Sequence, residues 1–267
     1  MLTVSVEDAV AEVTIDHPPV NALTTEMYER LADLAESLAG DAAVRSVLFV
    51  SDHPTIFMAG ADINAMQSYD FSPEAIERKV RLVHGTFLKL QRLPKPTVVS
   101  IEGHALGGGC ELSLCLDARF MTSGRARIGL PEARLGIIPG GGGTQRLPRL
   151  VGRGRAAQLM MLGEGIAAEE AERIGLVNEA CADPGTTRAR ARDYALQLAS
   201  MPSSSLRLIK RALNDGVDAG LLEGLEVERA CATEALLAPE AKEGIAAFVE
   251  KRPARFHGGS PESAAPA

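Results

Sequence analysis

The stretch that most restricts how this chain folds runs from Thr97 to Asp117, TVVSIEGHALGGGCELSLCLD. TVVSIEG reads as a strand, because its start is β-branched and apolar and the flanking prolines set it apart. The chain then passes through three consecutive glycines, Gly107, Gly108 and Gly109, into a short apolar segment that reads as a helix. Glycines at such a turn let another piece of backbone come closer than any side chain would allow. The same order occurs upstream, where SVLFVS over 46–51 has a buried-strand pattern and the loop DHPTIFMAGAD leads to a helix start. A chain that repeats strand, glycine turn and helix favours an α/β layered fold with parallel pairing, since crossover helices cover the sheet faces.

Other segments fit around this pattern. Residues 2–6 and 10–16 alternate Val and Ile about Glu7-Asp8 and predict an opening hairpin. Thr24 to Ala39 places Met27, Leu31, Leu34 and Leu38 at helical spacing, with Gly40 as the stop. Ser72-Pro73-Glu74 reads as an N-cap with Pro at the first helical position, followed by Ile76, Val80, Val83, Phe87 and Leu90 on one face. Beyond Arg188 the pattern is almost wholly helical, interrupted by Gly216, Gly220 and Pro239, with Leu206, Ile209, Leu221, Leu225, Leu236, Ile245 and Phe248 as its apolar positions. For 267 residues this predicts a core over 1–200, a helical region over 201–257 whose surplus apolar surface completes an oligomer interface, and a flexible tail over 258–267.

A formal net charge of -7 disfavours nucleic acid as the main partner, because binding a phosphate backbone relies on clustered Lys and Arg. The four cysteines, at 110, 115, 181 and 231, form neither a CxxC pair nor a zinc-ligand spacing, and are read as reduced thiols with no metal site. No apolar run approaches the roughly 20 residues that span a bilayer, and the acidic start lacks the basic and apolar regions of a signal peptide, so a cytoplasmic protein without a membrane partner is expected.

Three loops can carry chemistry. In FMAGADINAM, residues 57–66, Gly60 lets backbone approach a ligand and Ala61 can expose its N–H, although a plain strand-to-helix loop capped by Asp62 reads equally well. In HALGGGCELSL, unpaired N–H groups at the helix start suit a developing negative charge; close helix packing and phosphate binding are the alternatives. Glu111 follows these glycines in an apolar context, and Glu132 lies in the Pro- and Gly-rich IGLPEARLGIIPGGGG. Two carboxylates sharing one water can add it across an activated double bond, one taking a proton and the other delivering one to carbon. The glycines at 140–143 suit a further close approach, or merely cap the next helix. No histidine has a Ser or Cys partner in a nucleophile elbow, and GxSxG is absent.

In order along the chain, PPVNAL at 18–23, FMAGADI at 57–63, KPTVVSIEGHALGGGCELSLCLD at 95–117, LPEARLGIIPGGGGTQRL at 130–147 and KEGIAAFVEKRPARF at 242–256 resemble the crotonase, or enoyl-CoA hydratase/isomerase, superfamily. The resemblance implies a spiral of strand-strand-helix units with a helical C-terminal part that builds trimers or hexamers, and a role in fatty acid metabolism. It implies that the backbone N–H groups of Ala61 and Gly108 form an oxyanion hole for the thioester carbonyl, that Glu111 activates water, that Glu132 protonates carbon, and that Gly140 holds the water. Ala59, Asp62, Ile63 and Asn64 match the segment lining the path of substrate and CoA. Coenzyme A is then part of the acyl-CoA thioester substrate, and no separate cofactor is implied. Leu130 departs from the Gln that hydratases often carry before the Pro-Glu.

Hydration of trans-2-enoyl-CoA is the reading this favours. An isomerase of the same superfamily usually manages with a carboxylate at one of the two positions, whereas both are kept here. A non-catalytic acyl-CoA-binding subunit usually lacks one of them, and an RNA-binding relative would need a Lys- and Arg-rich helix that the first two helices do not offer.

Overall fold

Alternating Val and Ile turn the start of the chain into a hairpin. Strands β1 (Leu2–Glu7) and β2 (Val10–Ile15) pair antiparallel with Leu2 opposite Ile15. Asp8 and Ala9 turn between them at φ 51° and 62°, the left-handed pair that a two-residue hairpin turn requires. After the short β3 (Ala22–Leu23) comes α1 (Thr25–Gly40), capped by the Thr24 side chain, which accepts from the Met27 N–H. It buries Met27, Tyr28, Leu31, Ala35 and Leu38. Gly40 is its last helical residue and not a left-handed stop; the end is held by the Lys95 ammonium, which donates to the Leu38 and Asp41 carbonyls.

The computed structural model describes residues 2–256, so the expected tail over 258–267 lies outside the described residues. Strand β4 (Ser46–Ser51) is buried along its whole length and leads into β5 (Ile56–Met58), β6 (Gly60–Ala61), the single turn α2 (Ile63–Met66) and α3 (Pro73–Gln91). Ser72 caps α3 with Pro73 at its start, as expected, but only Phe87 and Leu90 of its predicted apolar face are fully buried. Next come β7 (Thr97–Ile101), β8 (His104–Leu106), α4 (Gly108–Leu114), β9 (Ala118–Thr122), β10 (Ile128–Gly129), a 3-10 turn over Glu132–Leu135 and α5 (Gly143–Val151). The order continues with α6 (Arg153–Leu162), α7 (Ala168–Arg173), β11 (Glu179–Cys181) and α8 (Pro184–Ser200), which begins four residues ahead of the expected helical stretch.

The large sheet has the order β1-β2-β4-β7-β9-β11, and every pairing after the first is parallel. A second, parallel sheet runs β10-β8-β5, and β3 pairs with β6. Three times, therefore, the chain lays one strand in the large sheet, the next in the small sheet, and then turns helical. Phe49, Phe57, Phe87, Leu31 and Ile101 are fully buried in one core cluster of these elements, each such side chain stabilising the fold by roughly 1.5–3 kcal/mol. Asn21, at φ 54°, ties the loop before β3 to this core: its amide donates to Ser51 Oγ at 2.9 Å and to the Phe57 carbonyl at 3.0 Å.

The molecule divides into two units between Leu196 and Gln197, inside α8. The second unit holds α9 (Ser203–Gly216), α10 (Leu221–Leu237) and α11 (Pro239–Glu250). Gly216 and Gly224 let α9 and α10 approach, since a Cβ on Gly224 would lie 2.9 Å from the Gly216 carbonyl oxygen. Arg207 pairs with Glu234 at 2.6 Å across the same two helices. Val217, Leu221, Leu222, Leu237, Phe248 and Val249 of this unit stand exposed. No helix of the described residues is long and apolar enough to cross a membrane.

Candidate active site

Glycines assemble the site by removing side chains where backbones meet. Parallel pairing sets Gly60 and Ala61 beside Ala22 and Leu23. Gly60 is left-handed at φ 98°, and a Cβ on it would lie 2.9 Å from the Leu106 carbonyl oxygen and 3.1 Å from the Gly108 nitrogen. A Cβ on Gly109 would come within 2.3 Å of the Met58 carbonyl oxygen. These approaches bring the segment carrying Ala61 against the first turn of α4. Gly107 caps that helix, and Gly108, its first residue, has an N–H with no partner inside the helix.

The rest of the predicted substrate segment is held by backbone and faces outward. Ala59 donates its N–H to the Val20 carbonyl at 3.2 Å, and Asp62 donates to Leu23 at 3.3 Å. The Asp62 carboxylate caps α2 by accepting from the Ala65 N–H at 3.0 Å. Ile63 and Asn64 are exposed.

Glu111 sits one turn into α4 and is only 3% exposed. Its Oε1 accepts the N–H of Gly141 at 2.7 Å and of Gly143 at 2.8 Å. A Cβ on Gly141 would lie 2.5 Å from Glu111 Oε2 and 2.7 Å from the Phe87 ring, so the loop closes on the carboxylate only because it is glycine. Arg146 holds the loop from behind, donating to the Gly141 carbonyl at 2.9 Å and to Gln91 at 2.8 Å. Burial pushes the Glu111 carboxyl above its ordinary range, while the Gly143 and Gly141 amides and the charge of Arg146 oppose that shift. The sequence reading singled out Gly140, which is exposed and whose Cβ position has only the Ile138 carbonyl oxygen nearby, at 3.9 Å. It placed Gly141 and Gly143 in a cluster suited to close approach but gave neither a role of its own. The run of four glycines was the available signal, but which N–H groups grip a carboxylate depends on a helix 30 residues upstream.

Glu132 opens the 3-10 turn. Its Oε1 lies 3.1 Å from where a Cβ of Gly107 would stand, and its Oε2 is buried with no hydrogen-bond partner among the described residues. Burial, with the Glu111 charge adding to it, raises this carboxyl to about 7. The two predicted carboxylates are thus within electrostatic reach of each other, Glu132 beside Gly107 and Glu111 in the helix that follows. Leu130 is fully buried, its Cδ1 lying 2.8 Å from the Cβ position of Gly143, so it packs under the loop that grips Glu111. Tyr28, which the sequence reading did not single out, reaches the same place: its hydroxyl lies 3.6 Å from the Cβ position of Gly108.

Comparison with known proteins identifies the family and the fold. The family model described as "Enoyl-CoA hydratase/isomerase" matches residues 5–259. A crotonyl-CoA hydratase of Syntrophomonas wolfei is 36% identical over 94% of this chain and 95% of its own length. The 2,3-dehydroadipyl-CoA hydratase of Escherichia coli is 36% identical over 96% of this chain and 98% of its own length. A solved enoyl-CoA hydratase from Bacillus anthracis superposes with a TM-score of 0.89 at 33% identity, covering 97% of this chain and 99% of that one. The α/β crotonase fold expected from the sequence is the fold observed, with its helical C-terminal region. The chain belongs to the enoyl-CoA hydratase/isomerase family.

Proposed function

We propose that this protein is an enoyl-CoA hydratase, which adds water reversibly to trans-2-enoyl-CoA to give 3-hydroxyacyl-CoA. One observation carries the reading: a buried carboxyl, Glu111, and a partly buried one, Glu132, lie beside one glycine turn, and their surroundings set them differently. Glu111 accepts two backbone N–H bonds, an arrangement that favours its charged form. Glu132 has no such donors on its buried Oε2 and titrates near neutrality, at about 7, which suits a proton donor. Glu111 takes a proton from water as the water oxygen bonds to C3. The π electrons move to the thioester oxygen, and the enolate returns them to C2, which takes the proton of Glu132. Proton exchange then restores both groups.

The N–H groups of Ala61 and Gly108 form the oxyanion hole for the enolate oxygen. Charge reaches that oxygen only after attack has begun, so fixed donors there stabilise the transition state more than the bound substrate. Gly140 presents its backbone to the attacking water, and Ala59, Asp62, Ile63 and Asn64 line the path of the CoA moiety, which arrives with the substrate and makes no separate cofactor necessary. The exposed apolar residues of the second unit support assembly into a trimer or hexamer.

The test is the loss of conjugated enoyl absorbance with crotonyl-CoA and longer trans-2-enoyl-CoAs, for wild type, Glu111→Gln and Glu132→Gln. Each variant should be slower by about a hundredfold or more. A folded wild type that hydrates none of them refutes the assignment and brings isomerase or binding roles forward.

A further inference from the structure

Tyr28 is a polar group inside this site that hydration itself does not use. It lies on the inward face of α1 and is 5% exposed. Its ring stands edge-on to Phe87, with centroids 5.6 Å apart, and Phe87 in turn abuts the Gly141 loop that grips Glu111. The hydrogen bonds of Tyr28 run through its backbone: its N–H donates to the Thr24 carbonyl, and its own carbonyl accepts from Thr86 Oγ1. Among the described residues its hydroxyl has no hydrogen-bond partner. Its oxygen is not one of the fully enclosed unpaired polar atoms, so some open space remains in front of it, and a phenylalanine packed against Phe87 in the same way would offer that space no donor.

The hydroxyl stands 3.6 Å from where a Cβ of Gly108 would point. In the hydratase reading that N–H serves the thioester oxygen, and the two glutamates serve the water. What remains for a donor on this side of the glycine turn is the acyl chain. Burial and the charge of Glu111 push the phenol's pKa upward, so it remains an O–H donor.

We propose that Tyr28 is a specificity-determining residue whose hydroxyl donates a hydrogen bond to an oxygen acceptor on the acyl chain, so that the site favours oxygen-bearing enoyl thioesters over purely hydrocarbon ones. This rests on the hydratase reading above. A hydrocarbon chain seals the O–H away unpaired, whereas an acyl oxygen satisfies it, and sites built to hydrogen-bond a substrate group discriminate strongly against analogues lacking it.

The experiment compares wild type with Tyr28→Phe on crotonyl-CoA, on 4-hydroxycrotonyl-CoA, which adds a hydroxyl at C4, and on glutaconyl-CoA, which adds a carboxylate carbon beyond C4. The quantity read is the ratio of kcat/KM for each oxygen-bearing thioester to that for crotonyl-CoA. In Tyr28→Phe this ratio should fall about tenfold for at least one of the two, the size of one lost hydrogen bond. A ratio that stays constant overturns the proposal, whether both rates fall together, as they would if the hydroxyl served the water or the thioester oxygen, or neither moves. Should the wild type hydrate none of the three, the hydratase reading fails separately, and the same ratio is then taken from their dissociation constants by calorimetry.

Discussion

Substituting Glu132 by glutamine removes a carboxyl whose charged form the fold disfavours, while nearly keeping its shape. The folded protein holds the proton of Glu132 up to about pH 7, against an ordinary value of 4.5. In this window the native state binds more protons than the unfolded chain, so the contribution of Glu132 to stability is greatest below pH 4.5 and is lost as pH rises towards 7. Glutamine has no such dependence, and every other titrating group is common to both proteins. Their difference therefore starts near zero at pH 4.5 and reaches its maximum above 7. At about 1.36 kcal/mol per pH unit the full gap is worth at most about 3 kcal/mol. The side chain is only partly buried, so solvent screening reduces the expected gain to ~1.5 kcal/mol. For a chain of this length that raises Tm by roughly 3–6 °C. Thermal unfolding by circular dichroism at pH 5 and pH 8.5, at matched protein concentration, measures it. A Tm difference equal at both pH values, or a variant less stable than wild type at pH 8.5, would refute the argument that burial sets the protonation of Glu132.

In the proposed mechanism Glu132 arrives protonated, so kcat/KM for hydration of crotonyl-CoA should decline as pH rises through about 7; a profile that climbs steadily to pH 9 contradicts the proposed role of the acid. Gly109→Ala sets a Cβ 2.3 Å from a main-chain oxygen of β5, a contact that no side-chain rotation relieves, and should destabilise the protein by about 2–3 kcal/mol in urea unfolding. Gly141→Ala presses on the Glu111 carboxylate itself, at 2.5 Å. Turnover should fall by about tenfold or more, and a variant as active as wild type would mean that the position of Glu111 does not depend on this loop.

What could be read from the sequence was whatever local periodicity encodes. Ser46–Ser51 is a strand of wholly buried residues, and the Ser72-Pro73 start of α3 was legible because a cap and a proline act on their immediate neighbours. The two-residue strands β3 and β6 were not, since two residues carry no period and their partner lies far along the chain. Glu111 and Glu132 drew attention as carboxylates in apolar or glycine-rich surroundings. The grip of Gly141 and Gly143 on Glu111, and the reach of Tyr28 to Gly108, are tertiary facts. A tyrosine on the apolar face of a helix reads as core until the atoms around its hydroxyl are known.

The amides that hold Glu111 arrive 30 and 32 residues after it in the chain, and Gly60 takes its place only by pairing with a strand near the N-terminus. Such distant contacts form slowly and late, because loop closure must precede any gain from them. During synthesis, a chain still short of residue 143 has strands and helices but no complete seat for the Glu111 carboxylate. In refolding, recovery of secondary structure should therefore run ahead of recovery of turnover, and the lag between them times the closure of the glycine loop.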